Sequence, residues 1–134
     1  MNSPDRPRPR PAPAELLVLT RAEDAVAWLL STTARWPKRL RATLTQRIEH
    51  NALELLEQLT LARYHREGRH HRLDQANLLL ERERRLLRLA VALHACPHAA
   101  FESAMRRFDE VGRLLHGWRR RGAAAPHAET APDA

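Results

Sequence analysis

The sequence predicts an all-α protein, an up-down-up-down four-helix bundle flanked by two terminal tails, and three observations carry that reading. Hydrophobic residues make up 43% of the chain but aromatics only 4%, so the core must be built from leucine and alanine, which suit helices better than sheets. Apolar residues recur three and four apart in four successive stretches, the spacing of one helix face, and no segment alternates as a strand does. Proline or glycine separates the stretches. A chain of 134 residues has room for one such core.

Residues 1–13 carry prolines at 4, 7, 9, 11 and 13 alternating with Arg6, Arg8 and Arg10, which predicts an extended, flexible arm that buries nothing. The first helix, roughly Pro13 to Arg35, places Leu16, Leu17, Leu19, Ala22, Val26, Leu29 and Leu30 on one broad face. Pro37 ends it, because the residue before a proline is driven out of helical geometry. The second, roughly Lys38 to Arg66, runs Leu40, Leu44, Ile48, Ala52, Leu55, Leu56, Leu59 and Ala62, and Gly68 breaks the chain after it. The third, roughly Arg72 to Ala95, offers Leu73, Ala76, Leu79, Leu80, Leu86, Leu87, Ala90 and Leu93, with Pro97 at the next corner. The fourth, roughly Ala99 to Arg121, shows Phe101, Ala104, Met105, Phe108, Val111, Leu115 and Trp118. Amphipathic helices joined by short connections pack as antiparallel neighbours, so residues 14–121 form the bundle and 122–134 a second flexible tail.

Two stretches are wider than a bundle core requires: Leu78, Leu79 and Leu80 are consecutive, as are Leu16, Leu17, Val18 and Leu19. Apolar residues outside the core stripe point to a subunit-facing surface, so a homo-oligomer is expected. There is no run of about 18 apolar residues to span a membrane. The N-terminus has charge with no apolar stretch behind it, unlike a signal peptide. Cys96 is the single cysteine, which fits a reducing cytoplasm.

Two chemical readings fare poorly. His94, Cys96 and His98 alternate ligand types, but they straddle a helix end and no second pair completes a zinc shell, so no metal and no cofactor is expected. Arg88 with His94, and Arg63 with His70, have the Arg-to-His spacing of all-helical HEPN ribonucleases, though the polar residue usual after the Arg is replaced by Leu89 and Tyr64. That ribonuclease is the alternative reading, and a plain scaffold whose arginines only keep it soluble is a third.

Charge points elsewhere. The net charge is +7, the surplus lies within the bundle, and Lys38 is the only lysine. Guanidinium groups fork onto phosphates and stack on bases, so a basic arginine-rich body implies a polyanionic partner. Arg35, Lys38, Arg39, Arg41 and Arg47 run without an acid among them; Arg63, Arg66, Arg69 and Arg72 crowd the second corner; Arg82, Arg84, Arg85 and Arg88 line the third helix; Arg119, Arg120 and Arg121 close the fourth. Glu81 and Glu83, alternating with the third-helix arginines, read as a solvated face laced with ion pairs.

The fourth helix keeps two interior glycines, each costing about 1 kcal/mol against alanine. Gly112 shares a side with Phe108 and Leu115, where a missing side chain lets another backbone come close, and Gly117 makes room for the indole of Trp118; Gly112 and Trp118 are therefore expected packing positions.

The stretch EVGRLLHGW, residues 110–118, closely resembles the final-helix signature of the accessory variability determinant (Avd) proteins of diversity-generating retroelements. RWPK at Arg35 to Lys38 resembles the opening of that family's second helix and LLRLA at Leu86 to Ala90 its third, so the resemblance runs over residues 14–121. Four-helix bundles encoded in ribosomal intervening sequences are similar. The resemblance implies a bundle assembled into a basic homopentamer that has no catalytic site. It implies binding to a reverse transcriptase and its template RNA, with DNA as a second ligand, in support of mutagenic cDNA synthesis. It places Arg84 and Arg88, with Arg85, as third-helix contacts, and Arg35, Lys38 and Arg39 at the basic opening of the second helix.

Overall fold

The computed structural model describes residues 13–124; the expected arm and most of the expected C-terminal tail lie outside the described residues. Four α-helices follow one another: α1 (Ala14–Thr33), α2 (Gln46–Tyr64), α3 (Arg69–Ala92) and α4 (His98–Ala124). Each packs against its neighbours in sequence, and α1 closes the ring on α4, which makes the up-down-up-down bundle. Among the described residues there is no strand, and no helix is long and apolar enough to cross a membrane.

The interior is Leu29, Ile48, Leu55, Leu59, Leu80, Leu87, Phe108 and Leu115, all fully buried. At one end the connections close the core: Trp36 between α1 and α2, and Ala95 and Cys96 between α3 and α4, are themselves buried. Leu79 and Leu80 enter the core while Leu78 stays 57% exposed, and Val18 and Leu19 enter while Leu16 stays out. The consecutive leucines thus divide between inside and outside.

The second helix does not begin as a plain α-helix. Lys38–Leu40 form a 3-10 turn and Arg41–Thr45 a π turn before α2 proper. The wide turn brings both Leu44 and Thr45 inward. Arg41 holds this start in place: its guanidinium donates to the Thr33 carbonyl at 2.7 Å and to Glu49 Oε1 at 3.3 Å, and the Thr33 hydroxyl donates to Glu49 Oε2 at 2.5 Å. One arginine therefore ties the end of α1 to the body of α2.

α3 begins at Arg69, earlier than the spacing predicts, because the corner is made over His65 to Gly68, where His65 is extended and Gly68 takes a left-handed φ of 73°. Its end is a Schellman stop built without glycine. His94 takes the left-handed position with φ 59°, its N–H donates to the Val91 carbonyl, and the Ala95 N–H donates to the Ala90 carbonyl at 2.9 Å. α4 continues to Ala124, past the boundary expected at 121.

Candidate nucleic-acid interface

Residues one turn apart on α3 meet different surroundings. Arg84 turns towards α4: its Nε donates to Asp109 Oδ1 at 3.0 Å, its Nη1 donates to Glu81, and the side chain is only 17% exposed. The guanidinium lies over Gly112, where a Cβ would stand 2.8 Å from Arg84 Nη2 and 2.9 Å from Leu80 Cδ2. The expectation for Gly112 is corrected on this point: its close neighbour is a charged side chain crossing from α3, not a second backbone. Gly117 would meet only Arg121 Nη1, at 3.3 Å, so it does not make room for Trp118, which is buried in the core.

Arg85 and Arg88 point outward and are exposed, with no carboxylate partner among the described residues. The geometry separates them from Arg84, whose charge is already shared between Asp109 and Glu81. A guanidinium so held aligns α3 with α4 and is poorly placed to take a phosphate.

The basic opening of the second helix comes to the same end of the bundle as the end of α3. Arg39 Nη2 donates to the Leu93 carbonyl at 2.8 Å, joining the two segments. Arg35 and Lys38 beside it are exposed and, among the described residues, meet no carboxylate. Arg41, counted with them in the sequence, is consumed by Thr33 and Glu49.

Sequence reasoning missed a groove of about 780 Å³ between α2 and α3. Leu40, Leu86, Leu89 and Leu93 form its apolar side, and Arg47, His50 and Arg82 its polar rim. The signal was present: positions 82, 86, 89 and 93 recur at helical spacing, with Leu86 at the edge of the core while Leu89, and Leu93 which the spacing assigns to the core face, stay exposed.

Behind that groove lies a carboxyl that the charge pattern reads as solvated, and the structure corrects it. Glu83 is fully buried, and burial pushes its carboxyl up to about 9, with the neighbouring Asn51 amide offsetting a part. Asn51 Nδ2 already donates to the Leu79 carbonyl at 2.8 Å, leaving its Oδ1 as an acceptor. Burial therefore holds Glu83 as the neutral acid, a carboxyl inside the α2–α3 seam beside Asn51.

The histidines expected at the corners have local roles. His94 forms the helix stop, His70 leans on Asp74 at 3.6 Å and His98 on Glu102 at 2.9 Å. The Cys96 thiol is buried, donates to the Pro97 carbonyl at 3.5 Å, and has its pKa raised by burial. Among the described residues no group of three or more His, Cys, Asp or Glu gathers to hold a metal.

A search of the curated proteins finds no match to this chain. A model of a family described as bAvd-like matches residues 16–122, which is the whole bundle apart from its first two and last two residues.

Proposed function

We propose that this chain, which belongs to the bAvd-like family, is a non-catalytic accessory protein that binds nucleic acid and partners a retroelement reverse transcriptase with its template RNA during mutagenic cDNA synthesis. The observation that carries the reading is the family match over the bundle, from Leu16 to Gly122. Charge supports it: Arg85, Arg88, Arg35 and Lys38 are exposed and unpaired among the described residues, with Arg39 beside them, so phosphate has cations to meet. Such contacts work by releasing counterions, so binding is non-specific in sequence and falls steeply with salt.

Self-association fits the same reading. Leu53, Leu78, Leu89 and Leu93 remain exposed, and the groove between α2 and α3 adds apolar area that a subunit or the polymerase would cover. A homopentamer in the cytoplasm would multiply weak phosphate contacts through avidity.

Two measurements test this. Titration of labelled RNA at low and moderate salt should show binding whose affinity drops several-fold as salt rises; the absence of any binding supports the scaffold reading instead. Co-expression with the reverse transcriptase of a diversity-generating retroelement should yield a complex that co-elutes with this protein, and separate elution would count against the partnership.

A further inference from the structure

The end of the bundle opposite the Arg35–Lys38 corner carries a second cationic surface. Arg69 Nε donates to the Ala62 carbonyl at 2.6 Å, fastening the start of α3 to the end of α2. Arg119 Nη2 donates to Asp74 Oδ1 at 2.8 Å, fastening the end of α4 to the start of α3. Three helix ends therefore meet here and bring Arg63, Arg66, Arg72, Arg120 and Arg121 to one region, none in a carboxylate pair among the described residues. Asp74 is occupied by Arg119 and His70, and Glu67 in the turn is the nearby acid without a partner among the described residues.

This concentration works against folding. The first turn of α3 holds no acidic residue, although the positive end of a helix favours one, and Arg69, His70, His71 and Arg72 stand there instead. Arg69 and His70 are held by Ala62 and Asp74, but His71 and Arg72 have no carboxylate pair among the described residues, and local rules broken in that way mark sites kept for function. An aromatic stands at the same end of the bundle: Tyr64, the last residue of α2, is 69% exposed, with the Arg63 guanidinium 5.6 Å from its ring centroid.

We infer that this α2–α3 corner is a single-strand site, in which Tyr64 stacks on an unpaired base while Arg66, Arg120 and Arg121 hold the flanking phosphates. The inference rests on the nucleic-acid reading above and deepens it. A duplex buries the faces of its bases and offers only phosphate, so charge alone would serve either form. An exposed ring among arginines adds energy only for a strand whose bases are unstacked.

The test is fluorescence anisotropy of the full chain with labelled oligouridine and with a duplex of equal length. The wild type should prefer the single strand. Tyr64→Ala should weaken single-strand binding about tenfold, change duplex binding by less than about twofold, and Tyr64→Phe should restore the wild-type value. Because Tyr64 is solvent-exposed, circular dichroism and melting should be unchanged in both variants. Equal losses on both ligands, or no loss on either, would overturn the single-strand site while leaving the nucleic-acid reading intact. A wild type that binds neither ligand would overturn both. If the triple change Arg66→Ala, Arg120→Ala and Arg121→Ala spared RNA affinity and abolished only the polymerase complex, the corner would be a protein-docking surface and the inference would be wrong.

Discussion

Arg84 and Gly112 share one niche between α3 and α4: the guanidinium occupies the space where a side chain on Gly112 would begin, 2.8 Å from that position. Alanine there should gain about 1 kcal/mol of helix propensity. It would also press on Leu80, which is fully buried, and push Arg84 off Asp109, and overpacking of this kind costs about 1–3 kcal/mol. Gly112→Ala should therefore lower stability in urea unfolding by about 1 kcal/mol. Gly117→Ala, facing only the end of Arg121, should raise it by up to about 1 kcal/mol. The opposite order would mean that the niche is looser than the distances state.

The same geometry separates two arginines that the sequence treats alike. Arg84→Glu places a third carboxylate beside Glu81 and Asp109, so its main effect should be a fall in melting temperature. Arg88→Glu alters an exposed position, so stability should hold while RNA affinity and the salt slope fall, the slope by about 1 for each phosphate no longer neutralised. Equal effects of the two changes on both readouts would refute this division of labour.

Glu83 should make stability fall as pH rises. Its carboxyl keeps its proton in the native state up to about 9 but releases it near the ordinary 4.5 when unfolded, so the native state binds the extra proton between those values. Stability should then decline across that window by up to about 1.4 kcal/mol per pH unit and level off above it. Glu83→Gln keeps the shape but cannot ionise, so it should remove this part of the slope and leave the variant more stable by about 2 kcal/mol or more at pH 8. Urea unfolding from pH 5 to 9 decides the matter; superimposable profiles for the two proteins would contradict a neutral buried Glu83.

His94 supplies a direct comparison with the ribonuclease alternative. Its left-handed backbone costs a side chain about 1 kcal/mol that glycine avoids, so His94→Gly should stabilise the protein by about that amount with RNA binding unchanged. Cleavage of RNA by the wild type, lost in this variant, would favour the enzyme.

Much of the fold could be read directly from the chain. Leu55 and Leu59, or Phe108, Val111 and Leu115, declare their shared face through spacing alone, and Pro37, Gly68 and Pro97 mark the corners, because a helix face and a chain break are properties of neighbouring residues. The π turn at Arg41–Thr45 was hidden, since the Arg41 guanidinium at its start is held by Thr33 on the preceding helix and by Glu49 eight residues on.

The candidate site divides in the same way. An excess of arginine and its clustering at helix ends are counts along the sequence, and they were visible without coordinates. Which arginine is left for a ligand was not: Arg84 is bound by Asp109, 25 residues away on another helix, while Arg88 one turn further on meets no acid among the described residues. Glu83 sits between Arg82 and Arg84 like any surface acid, yet it is the one pointed at Asn51 and kept neutral. Periodicity acts within a segment and is written locally, whereas pairing and burial of charge are set by distances through space, which exist only once the four helices have packed.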